Sequence, residues 1–205
     1  MFDSKISVKN LIGELKNTEV DIALEIPNAT YVQWLNSLQQ LLYTEVIKEQ
    51  KKVVLTPPFE NNLIDISSVT TEENENKPCF EDVYAVYADD VQLIKSTVAS
   101  GVIFPDTFYK ENNNIGFNTK TVPSKLTIVY IVKPALIEVY TNDVIDDSNV
   151  MIPIEFIDLV KAKLRGEAYK LANEDSIAAK WLNDYNILLE TFKAWIAEKS
   201  PNFGI

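Results

Sequence analysis

Apolar and polar positions alternate most regularly between Pro153 and Lys199. Ile177, Trp181, Leu182, Tyr185, Leu188, Leu189, Phe192, Trp195 and Ile196 recur at the i, i+3, i+4, i+7 spacing of one helical face, with Lys180, Asn183, Asp184, Glu190, Lys193 and Glu198 in the gaps. With the stretch that begins at Pro153, this predicts two antiparallel amphipathic helices broken at Asn173-Glu174-Asp175. A second helical block runs from Tyr31 to about Lys48, after a cap at Asn28 or Thr30. Its apolar face is Val32, Leu35, Leu38, Leu42 and Val46, flanked by Trp34, Leu41 and Tyr43; Gln33, Asn36, Gln39, Gln40 and Glu45 form the solvated face. A shorter helix is expected over Val8 to Leu15, capped by Ser7 and broken by Asn17, and then an extended piece at Ile22, Leu24 and Ile26.

From Lys52 the periodicity shortens. Val53 to Thr56 and Leu63 to Ile66 are brief β-rich runs, and Thr70 to Lys77 is too polar to pack. Asp82 to Ala88 and Val91 to Val98 flank Asp89-Asp90 as a hairpin. Without glycine its turn is not expected to be the primed two-residue type, which leaves a longer loop open. Phe108 to Asn114 reads as a loop before a strand at Ile115 to Phe117. Leu126 to Lys133 is the clearest strand. Its run Ile128, Val129, Tyr130 implies burial on both faces and a central position in a sheet. Leu136 to Tyr140 either extends that sheet or leads out of it, and Asn142 to Asn149 is a polar linker. The expected class is α+β: a helical bundle built from residues 1–51 and 141–205, with an antiparallel β-rich insertion over residues 52–140.

Composition narrows the chemistry. The chain of 205 residues contains no histidine, one cysteine (Cys79) and one arginine (Arg165). Ser-His-Asp triads and histidine-ligated metals are therefore excluded, as are internal disulfides. Cys79 reads as an inert thiol. A net charge of −11 argues against groove binding to DNA, although an acidic surface suits a wall past which DNA must slide. The N-terminus lacks the pattern of a secretory signal, and no run approaches a membrane span, so a cytosolic origin is expected. The acidic groups Asp89-Asp90 and Asp143, Asp146, Asp147 lack the glycine and terminal glutamate of a calcium loop and read as solvated turns. Glu155 and Asp158 fall in the first turns of a helix, where acids favour its positive end. No catalytic residue, cofactor site or metal site emerges, and a non-enzymatic role is expected.

The aromatic stripe admits two uses. Trp181, Tyr185, Phe192 and Trp195 serve as core, but the stripe is wider than two helices need, and aromatics concentrate at interface centres. Trp34, Trp181, Tyr185 and Trp195 are thus candidate subunit contacts. Phe203 and Ile205, beyond Pro201, belong either to a frayed end or to an arm added to a neighbour's surface.

Three stretches carry a family resemblance: Ile26-Pro27-Asn28-Ala29-Thr30-Tyr31-Val32-Gln33-Trp34-Leu35-Asn36; Leu126-Thr127-Ile128-Val129-Tyr130-Ile131-Val132-Lys133-Pro134; and Ile152-Pro153-Ile154-Glu155-Phe156-Ile157-Asp158-Leu159-Val160. In their order the chain resembles the head-to-tail connector, or adaptor, proteins of tailed bacteriophages, of the tail-tubular-protein-A-like kind. Ala168-Tyr169, Glu174-Asp175 and Ala178-Ala179-Lys180-Trp181 are similar to that family's closing helical pair. The resemblance implies a structural protein of the virion neck, made in the host cytoplasm. It implies a dodecameric ring that joins the portal protein to tail or neck proteins and extends the DNA channel without reading the passing DNA. It also implies a portal-docking role for the tail with Phe203 and Ile205. Other neck, collar or tail-completion roles, and a cytosolic ligand- or peptide-binding module, stay open as alternatives.

Overall fold

In the computed structural model, residues 6–18, 26–48, 50–65, 83–96, 104–111, 114–131, 134, 136–145 and 148–199 are described. In chain order they form β1 (Ile6–Ser7), α1 (Val8–Thr18), α2 (Asn28–Leu41) with a π-helical continuation (Leu42–Ile47), β2 (Gln50–Leu55), β3 (Leu63–Asp65), β4 (Val83–Ala88), β5 (Val91–Gln92), β6 (Ile94–Lys95), β7 (Thr107–Glu111), β8 (Asn114–Asn118), β9 (Leu126–Ile131), β10 (Val139–Tyr140), β11 (Val144–Ile145), β12 (Asn149–Val150), α3 (Ile157–Leu171) and α4 (Asp175–Lys199). Short 3₁₀ turns precede β3 and α3. The class is α+β. The expected pieces at Ile22 to Leu24, Thr70 to Lys77 and Cys79, together with Phe203 and Ile205, lie outside the described residues.

Two compact units result: Met1–Ile47 with Pro134–Ile205, and Lys48–Lys133. In the first, α3 is the middle helix and touches α1, α2 and α4. Its buried residues fall on two faces at helical spacing, Leu159, Ala162 and Gly166 on one and Val160, Leu164 and Ala168 on the other. Gly166 lets α4 come close, since a Cβ built there would lie 2.7 Å from Leu182 Cδ2. The break between α3 and α4 is a Schellman closure. Asn173 adopts φ 61°, its N–H donates to Lys170 O at 3.1 Å, and Glu174 N–H donates to Tyr169 O at 2.9 Å. Asn tolerates the left-handed conformation better than most residues, so it serves in the place of glycine.

Helix α2 begins at Asn28, but neither Asn28 nor Thr30 caps it in the expected way: Pro27 holds the N-cap position and offers no side-chain bond. The cap comes from Asp143, 115 residues away, whose Oδ2 accepts from Asn28 N–H at 2.8 Å. Its Oδ1 accepts from Ala29 N–H at 2.9 Å. Asn28 Nδ2 donates back to the Asp143 carbonyl at 2.8 Å. Two residues assigned to the solvated face also turn inward. Asn36 pairs with both backbone groups of Ile137 at 3.0 Å, and Gln39, 1% exposed, accepts from Met151 N–H at 2.7 Å. Leu136 to Tyr140 leads out of the β9 sheet and ends in β10, which pairs with β11 alone; the stretch read as a polar linker supplies the turn of that hairpin, β11 and the start of β12, and β12 pairs antiparallel with β1. Ser7 sits in β1, and the first amide of α1, Val8 N–H, donates to Ser148 O at 2.9 Å. Asn17 does not end α1, which runs to Thr18.

The second unit contains two four-stranded sheets, ordered β2-β9-β4-β5 and β3-β8-β7-β6. One apolar core joins them, with Val53, Val86 and Ile128 from the first and Ile64, Phe108, Ile115 and Phe117 from the second. As its unbroken apolar run implied, β9 is central, and Ile128, Val129 and Tyr130 are all buried. The expected strand Val91 to Val98 is divided instead. Val91–Gln92 pairs with β4, Leu93 turns into the core, and Ile94–Lys95 runs parallel to β7 in the other sheet. The β4–β5 connection is a two-residue turn with Asp89 at φ 46° and Asp90 at φ 70°, the primed geometry that the lack of glycine argued against. The compensation is external. Asp89 Oδ1 accepts from Ser124 Oγ at 2.6 Å, Ser124 N–H at 2.9 Å and Lys125 N–H at 3.1 Å. Phe108 to Asn114, expected as a loop, supplies most of β7, because aromatic and β-branched residues from Thr107 pair well with β8.

Candidate functional site

Helix α4 positions most of the residues that the stripe singled out. It is 25 residues long, about 37 Å at 1.5 Å per residue, with no internal proline or glycine, Asp175 in its first turn and Lys199 in its last. Only the central line of the stripe is buried: Ala178, Tyr185 and Phe192 at seven-residue spacing, joined by Ile196. Trp181, Leu188 and Trp195, again at seven-residue intervals, stay half-buried along one flank. The stripe is thus core along its middle and surface along its edge.

Each predicted contact residue has a defined setting. Tyr185 is 7% exposed, and burial raises its hydroxyl pKa above the ordinary value of 10.0. Lys163 Nζ lies 5.3 Å from the centre of its ring. Trp195 closes an aromatic cluster at the bundle end, 5.3 Å from Phe156 and 6.3 Å from Phe192 between ring centres. Trp181 carries the guanidinium of Arg165 at 4.6 Å from its ring centre. Trp34 lies on α2 in edge contact with Tyr31 at 5.5 Å. Trp181 and Trp195 therefore share a flank of α4, Tyr185 belongs mainly to the core, and Trp34 stands on another helix.

Beside Trp181 an open groove of about 510 Å³ runs between α3 and α4, lined by Asp158, Lys161, Ala162, Arg165, Trp181, Asp184, Ile187 and Leu188. Two cations and two carboxylates line it, so it carries no net sign. The cations also tie α3 to α1: Lys161 Nζ meets Glu14 Oε1 at 2.6 Å, and Arg165 Nη2 donates to Thr18 Oγ1 at 3.2 Å. Ile187, 59% exposed, was not singled out by sequence. Its signal is a large apolar residue off the periodic stripe, among Asn183, Asn186 and Glu190.

Among the described residues, no group of three or more acidic or cysteine side chains is placed to hold a metal ion, and no helix is long and apolar enough to cross a membrane. The Asp89 carboxyl is held below its ordinary 3.8 chiefly by the Ser124 hydroxyl. Its bonds close the β4–β5 turn. Asp143 is committed to the cap of α2, and Asp146 and Asp147 lie outside the described residues. Comparison with protein-family models gave no match, and a search of curated proteins found no similar sequence.

Proposed function

We propose that this chain is a structural assembly protein, a head-to-tail adaptor that forms a ring on the portal of a tailed bacteriophage and extends its DNA channel. The observation that carries the reading is the flank of α4. Trp181, Leu188 and Trp195 are only half covered by their own chain, and exposed Ile187 lies beside them along the groove. Half-covered aromatics on a rigid helix are the kind of surface that interface centres use. A ring requires head-to-tail contacts between unlike faces, and the α3–α4 groove is one such face. The helix-β-helix order of the chain agrees with the resemblance. The net charge of −11 suits a channel lining that does not retain DNA.

The test mixes the purified chain with the portal oligomer encoded near it and images the mixture by electron microscopy. The expected result is an added ring of density on one face of the portal. Ile187→Glu, at an exposed site that tolerates charge, should leave the circular dichroism unchanged and abolish the ring. A correctly folded chain that never associates with the portal would overturn the proposal.

A further inference from the structure

The end of α2 contains a register irregularity. The α-helix stops at Leu41 and the chain winds on as a π-helix to Ile47. A π turn takes up more chain per turn than an α turn, and such turns are rare and occur often at functional positions. Its effect is visible in the burial pattern. The buried face formed by Tyr31, Leu35, Leu38, Gln39, Leu42 and Tyr43 would next centre on residue 46 at 3.6 residues per turn. The residue buried is instead Ile47, at 6% exposure, while Val46 is half-buried. Val46 and Ile47 are adjacent, both β-branched, and differ by one methylene. Thr44 Oγ1 donates to Gln40 O at 3.0 Å and Leu41 O at 3.3 Å, which supplies the carbonyls at the α-to-π boundary with a second donor. Lys48 follows at φ 49°, and β2 begins at Gln50, where the chain has passed into the other compact unit.

We propose that Leu42–Ile47 is a two-register joint, a π register that buries Ile47 exchanging with an α register that buries Val46 in the same place. Either register fills the same core position, so the exchange needs no unfolding of the bundle. Passing from π to α moves the outgoing chain by one residue, about 1.5 Å along the helix and about 100° around it. This inference does not depend on the assembly reading.

The test is methyl relaxation dispersion on the full chain with labelled valine and isoleucine. Val46 and Ile47 should show one shared exchange process on the microsecond-to-millisecond scale, with a minor state of roughly 0.1–10%. Val46→Asn removes the apolar group that the α register needs and should abolish the Ile47 dispersion with the fold intact. Deleting exposed Glu45 brings Ile47 to the α position and should abolish it as well. Flat dispersion at both methyls in the unmodified chain would overturn the proposal. So would exchange that persists unchanged in Val46→Asn; this comparison holds even if the deletion does not fold, since Val46 is already half-exposed.

Discussion

Asp143 caps α2 from a distant part of the chain, so its removal should destabilise the helical unit. Its carboxylate satisfies the first two free amides of α2, at Asn28 and Ala29, and it does so from φ 62°. Loss of a side-chain cap costs about 0.5–2 kcal/mol, and loss of a negative charge at a helix start about 0.3–1 kcal/mol. Alanine in the left-handed region adds about 1–2 kcal/mol, a penalty that glycine escapes. Asp143→Ala should therefore destabilise by about 2–5 kcal/mol and Asp143→Gly by about 1–3 kcal/mol, from these combined terms. Asp143→Asn keeps one acceptor and the tolerance of positive φ, so it should cost about 0.5–1 kcal/mol. The Asn28 Nδ2 bond survives in all three variants, because it uses the Asp143 backbone carbonyl. Urea unfolding followed by tryptophan fluorescence reads the right unit, because Trp34, Trp181 and Trp195 all belong to it. The order Asn, Gly, Ala is the diagnostic result. An Asp143→Ala variant within about 0.3 kcal/mol of the parent, far below the cap's expected worth, would refute the capping role. Gly costing more than Ala would refute the backbone reasoning.

Three further outcomes are expected. Gly166→Ala gains about 1 kcal/mol of helix propensity but over-packs against Leu182 at a cost of about 1–3 kcal/mol, so it should be net destabilising in urea melts. In a Leu182→Ala background the same change should turn stabilising; the same sign in both backgrounds would contradict the close approach of α3 and α4. Gly116 faces Tyr109 across β7 and β8, and any Cβ there would collide with that ring. Gly116→Val should therefore lower stability despite valine's strand preference and shift the Tyr109 ring resonances; an unshifted ring would contradict the contact. Asp89 has its pKa depressed by the fold, so its contribution is present above the ordinary 3.8 and is lost as pH falls through its own lower value. Ser124→Ala should move its carboxyl titration, followed by ¹³C NMR, back toward the ordinary value; an unmoved titration would contradict the Ser124 hydroxyl as the main cause.

Features with a local cause could be read before folding. The closing helical pair followed from a 3.6-residue period sustained over many turns, and β9 followed from an unbroken apolar run. Features whose cause lies more than a hundred residues away could not. Asn36 and Gln39 look solvated until Ile137 and Met151 are placed beside them, and Asp143 looks like a turn residue until α2 begins beneath it. The primed turn at Asp89-Asp90 was obscured by partners 35 and 36 residues further on, because Ser124 and Lys125 supply what glycine would otherwise provide. The shift from Val46 to Ile47 follows a change of helix type, which no simple period reports. At the candidate site the breadth of the aromatic stripe was legible, and so was its double use. That only the central line is fully buried while its edges stay half-buried is a matter of packing between α3 and α4, which Gly166 lets come close.

The assembly proposal is tested most directly by mass spectrometry of phage particles purified from a culture that produces this chain. The account predicts the chain among the structural proteins, in a fixed ratio to the portal subunit and resistant to washes that strip loosely bound protein. Repeated recovery of portal and tail proteins without this chain would contradict it.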